Sequence, residues 1–277
     1  ERRGTPHGRR RMSARSAERW RARALAGFAA AILAFLMLPV VVVVLASFTN
    51  TSYLTIPPKG LTLRWYAAVF NDPEYIAALW FSLTLAVVVT AVSIVLGTMA
   101  AYALARRQVP AAPAIAGLLM SPLAFPGVVI GVALLQYYTL TGLRGSFVGL
   151  LLAHLVITLP YTVRTILASM AGADPEIEAA ARVLGANPWV AFWKATLPVI
   201  RPGMMAGGLF AFITSFDNVP VTIFILGTRH TTLPVKIFTA IEYGVDPSIA
   251  ALSTLLIAGT AVFLVAAERW VGFHRFA

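Results

Sequence analysis

A chain of 277 residues that is 59% hydrophobic and 12% charged cannot cover a water-facing surface, since soluble domains average about a quarter charged residues. With a mean hydropathy of +0.80, it is excluded as a soluble enzyme, a disordered chain or a fibre and reads as an integral membrane protein. Its 22 Lys+Arg against 11 Asp+Glu leave a net charge of +11, and the lack of Cys excludes disulfides, thiolate chemistry and Cys-based metal sites.

Residues 1–23 hold nine Arg and two Glu. An Arg-rich arm ahead of an apolar run marks the cytoplasmic side of a membrane and suits anionic lipid better than nucleic acid. Apolar runs of about 20 residues predict six membrane-spanning helices, at roughly 24–48, 76–105, 112–138, 148–170, 201–226 and 248–268. The first run is too long for a signal-peptide core of about 7–15 residues and is expected to remain as a span. With the N-terminus inside, the inner segments carry seventeen basic residues and the outer ones five, which predicts that both termini are cytoplasmic. The expected organisation is a basic arm at 1–23, a transmembrane domain at 24–270 and a tail at 271–277. Asp72-Pro73, Asp174-Pro175, Asn187-Pro188 and Asp246-Pro247 each place a capping side chain before a proline suited to a first helical turn.

The longest inner loop, 171–200, reads as two short helices. Asp174 caps the first, Glu176 and Glu178 sit in its first turn against the helix dipole, and Gly185 ends it after Leu184. The second starts after Asn187 and carries Trp189, Phe192 and Trp193. On these residues alone the loop is either a docking element for another protein's groove or an interfacial hairpin.

The run Glu178-Ala179-Ala180-Ala181-Arg182-Val183-Leu184-Gly185, with Leu197-Pro198 thirteen residues beyond the glycine, resembles the EAA loop of binding-protein-dependent ABC importer permeases. Counted back from Gly185, the family's usual glutamate falls at Ala179, with Glu178 one place early, and Ala195 stands where an aliphatic residue is usual. The resemblance extends over almost all of 76–270. It implies an all-α integral membrane protein, type I ABC importer permease-like, with six transmembrane helices and a cytoplasmic coupling-helix loop. In that reading Glu178, Ala179, Ala180, Ala181, Arg182, Gly185 and Pro198 dock the ATPase. The chain is then a transport subunit in a bacterial inner membrane, half of a translocation path shared with a second, similar permease. A periplasmic solute-binding protein delivers solute, and separate ATPase subunits bind ATP and Mg.

No motif competes. A Walker A loop needs Lys after Gly, and Lys59, Lys194 and Lys236 each follow another residue. The four His show no metal spacing, and no G-x-S-x-G elbow occurs, so neither a catalytic nor a metal site is expected.

Two ionisable residues are expected at membrane depth. Asp217 lies fourteen residues, roughly 21 Å of helix, beyond Gly203, and His154 lies in the fourth span. Asp217 should face a polar cavity or a partner, because a bare carboxylate in the bilayer costs about 3 kcal/mol or more. His154 reads better as a packed, hydrogen-bonded neutral side chain. Gly127-x-x-x-Gly131 and Gly203-x-x-x-Gly207 read as helix-packing faces. Pro220 should break the helix just after Asp217, and broken helices line binding sites. The stretch Ser215-Phe216-Asp217 resembles the spermidine/putrescine branch of these permeases, as do Thr232-Leu233-Pro234 and Asp246 to Ala251; that branch often has a second acid where this chain has Asn218. The resemblance implies polyamine transport, with Ser215, Phe216, Asp217 and Asn218 on the substrate path. The alternatives are another small solute in the same kind of permease, or a proton-coupled secondary transporter using Asp217 and His154 as a relay.

Overall fold

A computed structural model of the chain describes residues 7–106, 109–172, 174–244 and 246–271. In order, the helices are α1 (His7–Ala46), α2 (Arg64–Asn71), α3 (Pro73–Ala105), α4 (Ala112–Met120), α5 (Gly127–Thr141), α6 (Phe147–Ala171), α7 (Pro175–Val183), α8 (Pro188–Ala191), α9 (Leu197–Phe216), α10 (Thr222–Ile225), α11 (Leu233–Tyr243) and α12 (Pro247–Val271). No strand occurs among the described residues. Residues 1–6 of the basic arm, Arg107 and the tail beyond 271 lie outside the described residues.

All four capped prolines open helices. Asp72 accepts from the N–H groups of Glu74 and Tyr75, Asp174 from Glu176, Asn187 from Val190 and Asp246 from Ser248. Each carboxylate or amide oxygen satisfies donors that the helix itself leaves unpaired.

Among the described residues five stretches are long and apolar enough to span a membrane: Trp20–Ala46, α3, α6, the continuous run Pro188–Phe216 and Pro247–Ala266. The sixth span, expected as one helix at 112–138, is a bent pair, Ala112–Ala124 and Gly127–Thr141, meeting at 103°. Phe125 stands before Pro126 and takes an extended φ of −100° and ψ of 140°, as a residue preceding proline does. The fifth span also departs from expectation. It starts at Pro188 rather than near 201, passes through a π turn at Phe192–Thr196, and stops at Phe216 instead of running to 226.

The chain divides into two compact units, residues 1–68 with 245–259, and residues 69–244 with 260–277. In the first, α1 starts well inside the basic arm, and its side chains are exposed from Trp20 to Pro39; from Ala24 onward they are apolar on all sides, as lipid contact requires. Beyond its end, Tyr66 hydrogen-bonds Ser47 at 2.6 Å and Trp65 Nε1 donates to the Thr49 carbonyl at 2.8 Å. Trp and Tyr of this kind suit the membrane–water boundary.

In the second unit α3, α6 and α9 pack against one another. Small residues set the distances: a Cβ at Gly97 would meet Thr162 Oγ1 at 2.4 Å, one at Gly203 would meet Ser169 Oγ at 2.3 Å, and one at Gly207 would meet Thr165 Oγ1 at 2.5 Å. Lipid is as apolar as leucine, so close packing rather than expulsion of water holds these helices together. Two apolar clusters fill the bundle. Leu85, Val89, Leu150, Val221 and Ile225 belong to one; Ala101, Val163, Ile166 and Ile200, toward the α7 end, belong to the other. The sequence reading placed no helix at 233–243, yet α11 lies there and is fixed to α3: Leu233 N–H donates to Ser82 Oγ at 2.8 Å, and Lys236 pairs with Glu74.

Candidate functional site

The loop between α6 and α9 has inverted polarity. In α7 the apolar residues Ile177 and Val183 are exposed, as is the following Leu184, at 88%. The one buried side chain described on this helix is a carboxylate, Glu178, 6% exposed. Its Oε1 accepts from Tyr102 Oη at 2.7 Å and Arg182 Nη2 at 3.2 Å; its Oε2 accepts from Arg106 Nη2 at 2.9 Å and Thr196 Oγ1 at 3.1 Å. Burial pushes this carboxyl up. The hydrogen bonds from Tyr102 and Thr196 and the Arg106 charge outweigh it and hold the group below the ordinary glutamate value.

Gly185 ends α7 at φ +91°, the left-handed region that glycine enters freely. Ala186 N–H donates to the Ala181 carbonyl and Gly185 N–H to that of Arg182, both at 3.0 Å, the bond pair of a Schellman motif. Ala179, Ala180 and Arg182 are exposed and Ala181 half-buried; Pro198 is exposed in the first turn of α9. Trp189 and Trp193 are exposed too, at 72% and 57%, whereas Phe192 turns inward with its ring edge-on to Tyr102 at 5.3 Å. The loop therefore exposes apolar side chains together with Asp174 and Glu176, and keeps Glu178 inside.

The second candidate is the break after α9. His154, fully buried on α6, has Nδ1 2.8 Å from Ser215 Oγ and Nε2 3.0 Å from Thr222 Oγ1. Thr222 Oγ1 in turn donates to Asn218 Oδ1 at 3.3 Å. These roles assign the proton to Nε2, so that a neutral imidazole accepts from Ser215 and donates to Thr222. Asn218 Oδ1 also accepts the Val221 N–H at 3.0 Å, ordering the turn into α10. Gly131 lets α5 approach this turn: a Cβ there would meet Phe224 at 2.7 Å and the Pro220 carbonyl at 2.9 Å. Phe216 stacks on Phe212 at 5.9 Å, and Phe212 lies 5.0 Å from Phe263.

Of the four residues expected on a substrate path, Ser215 and Asn218 are thus engaged in holding the break, and Phe216 sits in an aromatic cluster. Asp217 caps α9 through its backbone, with its N–H donating to the Ile213 carbonyl at 3.0 Å, and its side chain is exposed on the face that carries Phe210 and Ile213. No hydrogen bond joins it to His154 among the described residues.

Three residues of the Glu178 cluster went unread in the sequence: Tyr102, Arg106 and Thr196. Arg164 lies within α6 and lines an open cavity of about 510 Å³ with Ala116, Met120, Leu123, Ala124 and Leu167.

The family model for the binding-protein-dependent transport system inner membrane component matches residues 93–274. The spermidine/putrescine transport system permease protein PotC of Escherichia coli (strain K12) is 32% identical over 242 residues, 87% of this chain and 91% of the relative. The putrescine transport system permease protein PotI of the same strain is 32% identical over 236 residues, 82% of this chain and 83% of the relative. Among solved structures, a chain of a bacterial ABC transporter involved in the import of the acidic polysaccharide alginate superposes with a TM-score of 0.71 at 16% identity, covering 94% of this chain and 98% of that one, and shares the fold.

Proposed function

This chain belongs to the family of binding-protein-dependent transport system inner membrane components, and on that premise we propose that it carries a polyamine, spermidine or putrescine. It is a multi-pass permease subunit of an ABC importer, a transport subunit rather than an enzyme, and such an importer works with an ATPase and a solute-binding protein. The observation that carries the polyamine reading is the match to PotC and PotI over most of the chain, supported by Asp217 being exposed where α9 breaks. A protonated amine is the ligand such a carboxylate selects, because water-poor surroundings strengthen charge pairing.

The rest of the assembly follows as part of the same proposal. Both termini lie in the cytoplasm, supported by the seventeen-to-five division of basic residues. ATPase subunits, which hold ATP and Mg, dock on α7 and the exposed Val183, Leu184 and Trp189 beside it. A second permease of similar fold completes the path, and a periplasmic protein delivers the solute.

The test is uptake of radiolabelled putrescine and spermidine by cells lacking this chain and by the same cells complemented with it. Complementation should restore saturable, ATP-dependent uptake that unlabelled polyamine competes and neutral sugars do not. Uptake unaffected by the deletion, or competed equally by a sugar, would overturn the polyamine assignment.

A further inference from the structure

We infer that Glu178 is a positioning residue, an internal latch that fastens the coupling helix α7 to the cytoplasmic ends of two membrane spans and so passes the ATPase's movement to them. The inference rests on the permease reading and deepens it.

A carboxylate offers about four acceptor sites, and at Glu178 four donors fill them. With the side chain buried as well, no edge of this acid is left for another subunit. The donors come from three places. Arg182 is on α7 itself, one turn on. Tyr102 lies in the last turn of α3 and Arg106 is that helix's C-cap. Thr196 ends the π turn that runs straight into α9. One side chain therefore joins the docking helix to α3 and α9 together, and those two helices with α6 make up the packed bundle. Phe192, edge-on to Tyr102, closes the apolar side of the same joint.

The alternatives assign Glu178 less well. A helix of this composition would ordinarily turn Ile177 and Val183 inward and leave its acids in water; here both apolar residues are exposed and, of the two acids, Glu176 is exposed while Glu178 is buried. Burying an ion pair gives little net stability compared with apolar packing, but leaving one member unpaired is costly, so the joint is fully made or strongly disfavoured. That all-or-none character suits a linkage that must transmit movement without slack. The exposed Val183, Leu184 and Trp189 remain as the surface for the ATPase.

Glu178→Gln removes the charge at constant size, and Tyr102→Phe removes one donor from α3. Two measurements separate the latch from the reading it rests on. In the full-length chain in nanodiscs, a spin label on Val183→Cys reports α7 directly, against a background free of native Cys. Glu178→Gln and Tyr102→Phe should both increase its mobility. In proteoliposomes of the assembled importer, both variants should co-purify the ATPase to within twofold of wild type. The ATP hydrolysed per polyamine imported should rise several-fold for Tyr102→Phe and tenfold or more for Glu178→Gln. Should Glu178→Gln fail to insert, Tyr102→Phe decides alone. An unchanged label and ratio in Tyr102→Phe, or loss of co-purified ATPase at a wild-type ratio in Glu178→Gln, would overturn the latch. A wild-type chain that recruits no ATPase would instead sink the permease reading, and the label would still judge the latch.

Discussion

His154 Nδ1 lies 2.8 Å from Ser215 Oγ, so that α6 grips the last turn of α9 just before the chain breaks. Its other nitrogen grips Thr222 on the far side of the break. One buried imidazole thereby spans residues 216–221 and fixes how far the two ends can separate. A proton relay needs a path from His154 to another titrating group; among the described residues the bonds from its nitrogens run to Ser215 and through Thr222 to the amide oxygen of Asn218, which does not titrate.

His154→Phe fills the space but leaves Ser215 and Thr222 without their partner. Unsatisfied buried hydroxyls cost about 1–3 kcal/mol, and in membrane bundles individual interhelical bonds average about 0.6 kcal/mol, so a loss of roughly 1–2 kcal/mol is expected. Thermal unfolding of the detergent-solubilised chain, followed by size exclusion, should shift down by several degrees. His154→Gln, whose terminal amide can still accept from or donate to these hydroxyls, should lose less. Residual uptake in His154→Gln with wild-type pH dependence is the expected companion result; loss of proton-coupled uptake with unchanged stability would restore the relay.

How much of this was legible in the sequence differs by feature. Helix starts were readable because an Asp or Asn before Pro acts locally, and all four capped pairs open helices. The Gly185 stop is local in the same way. The bend at Phe125 and the early start of the fifth span were missed because hydropathy averages over about 20 residues and is blind to where backbone dihedrals change. The Glu178 cluster was out of reach for another reason. Arg106 and Glu178 are separated by 72 residues, and the helix-dipole argument, applied to α7 alone, accounts for the acid in the first turn without any partner from another helix. Tertiary packing decided otherwise.

Gly185→Val should disconnect the loop. No atom lies within 4 Å of a Cβ built at Gly185, so the cost is confined to the backbone: a left-handed φ that a β-branched residue adopts at about 1–2 kcal/mol or more. The Schellman bonds to Ala181 and Arg182 would be lost and the path toward Trp189 redirected. Transport and solute-stimulated ATP hydrolysis should fall at least tenfold while insertion, measured by membrane fractionation, stays normal; wild-type coupling in this variant would remove the turn from the mechanism.

Orientation is open to direct chemical test, because the chain has no native Cys. Arg144→Cys and Arg229→Cys, both at exposed positions between spans, should react with an impermeant maleimide on intact cells. Lys194→Cys, exposed in the π turn at the α7 end of the fifth span, should react only after permeabilisation. The reverse pattern would put the coupling loop outside and rule out docking to a cytoplasmic ATPase.

Asp217 carries the substrate argument. Its side chain is exposed at a helix break while its neighbours Ser215, Phe216 and Asn218 make internal contacts, so on the proposed path this residue is the one that would meet the solute. At 4 Å a carboxylate and an ammonium attract by about 1 kcal/mol in water and about 4 kcal/mol at an effective dielectric of 20, a gap large enough to select cations from a mixed pool. Asp217→Asn preserves the size, the backbone cap and much of the hydrogen bonding, and removes only the charge. Uptake of radiolabelled putrescine at matched expression should fall at least tenfold, whereas the ATPase co-purified with the chain and its basal hydrolysis should be unchanged. Asp217→Glu, which restores the charge on a longer stem, should recover part of the loss. If Asp217 served only as a hydrogen-bond acceptor, Asn would replace it and uptake would survive; wild-type putrescine uptake in Asp217→Asn would therefore take the acid off the path and leave the polyamine reading resting on relatives alone.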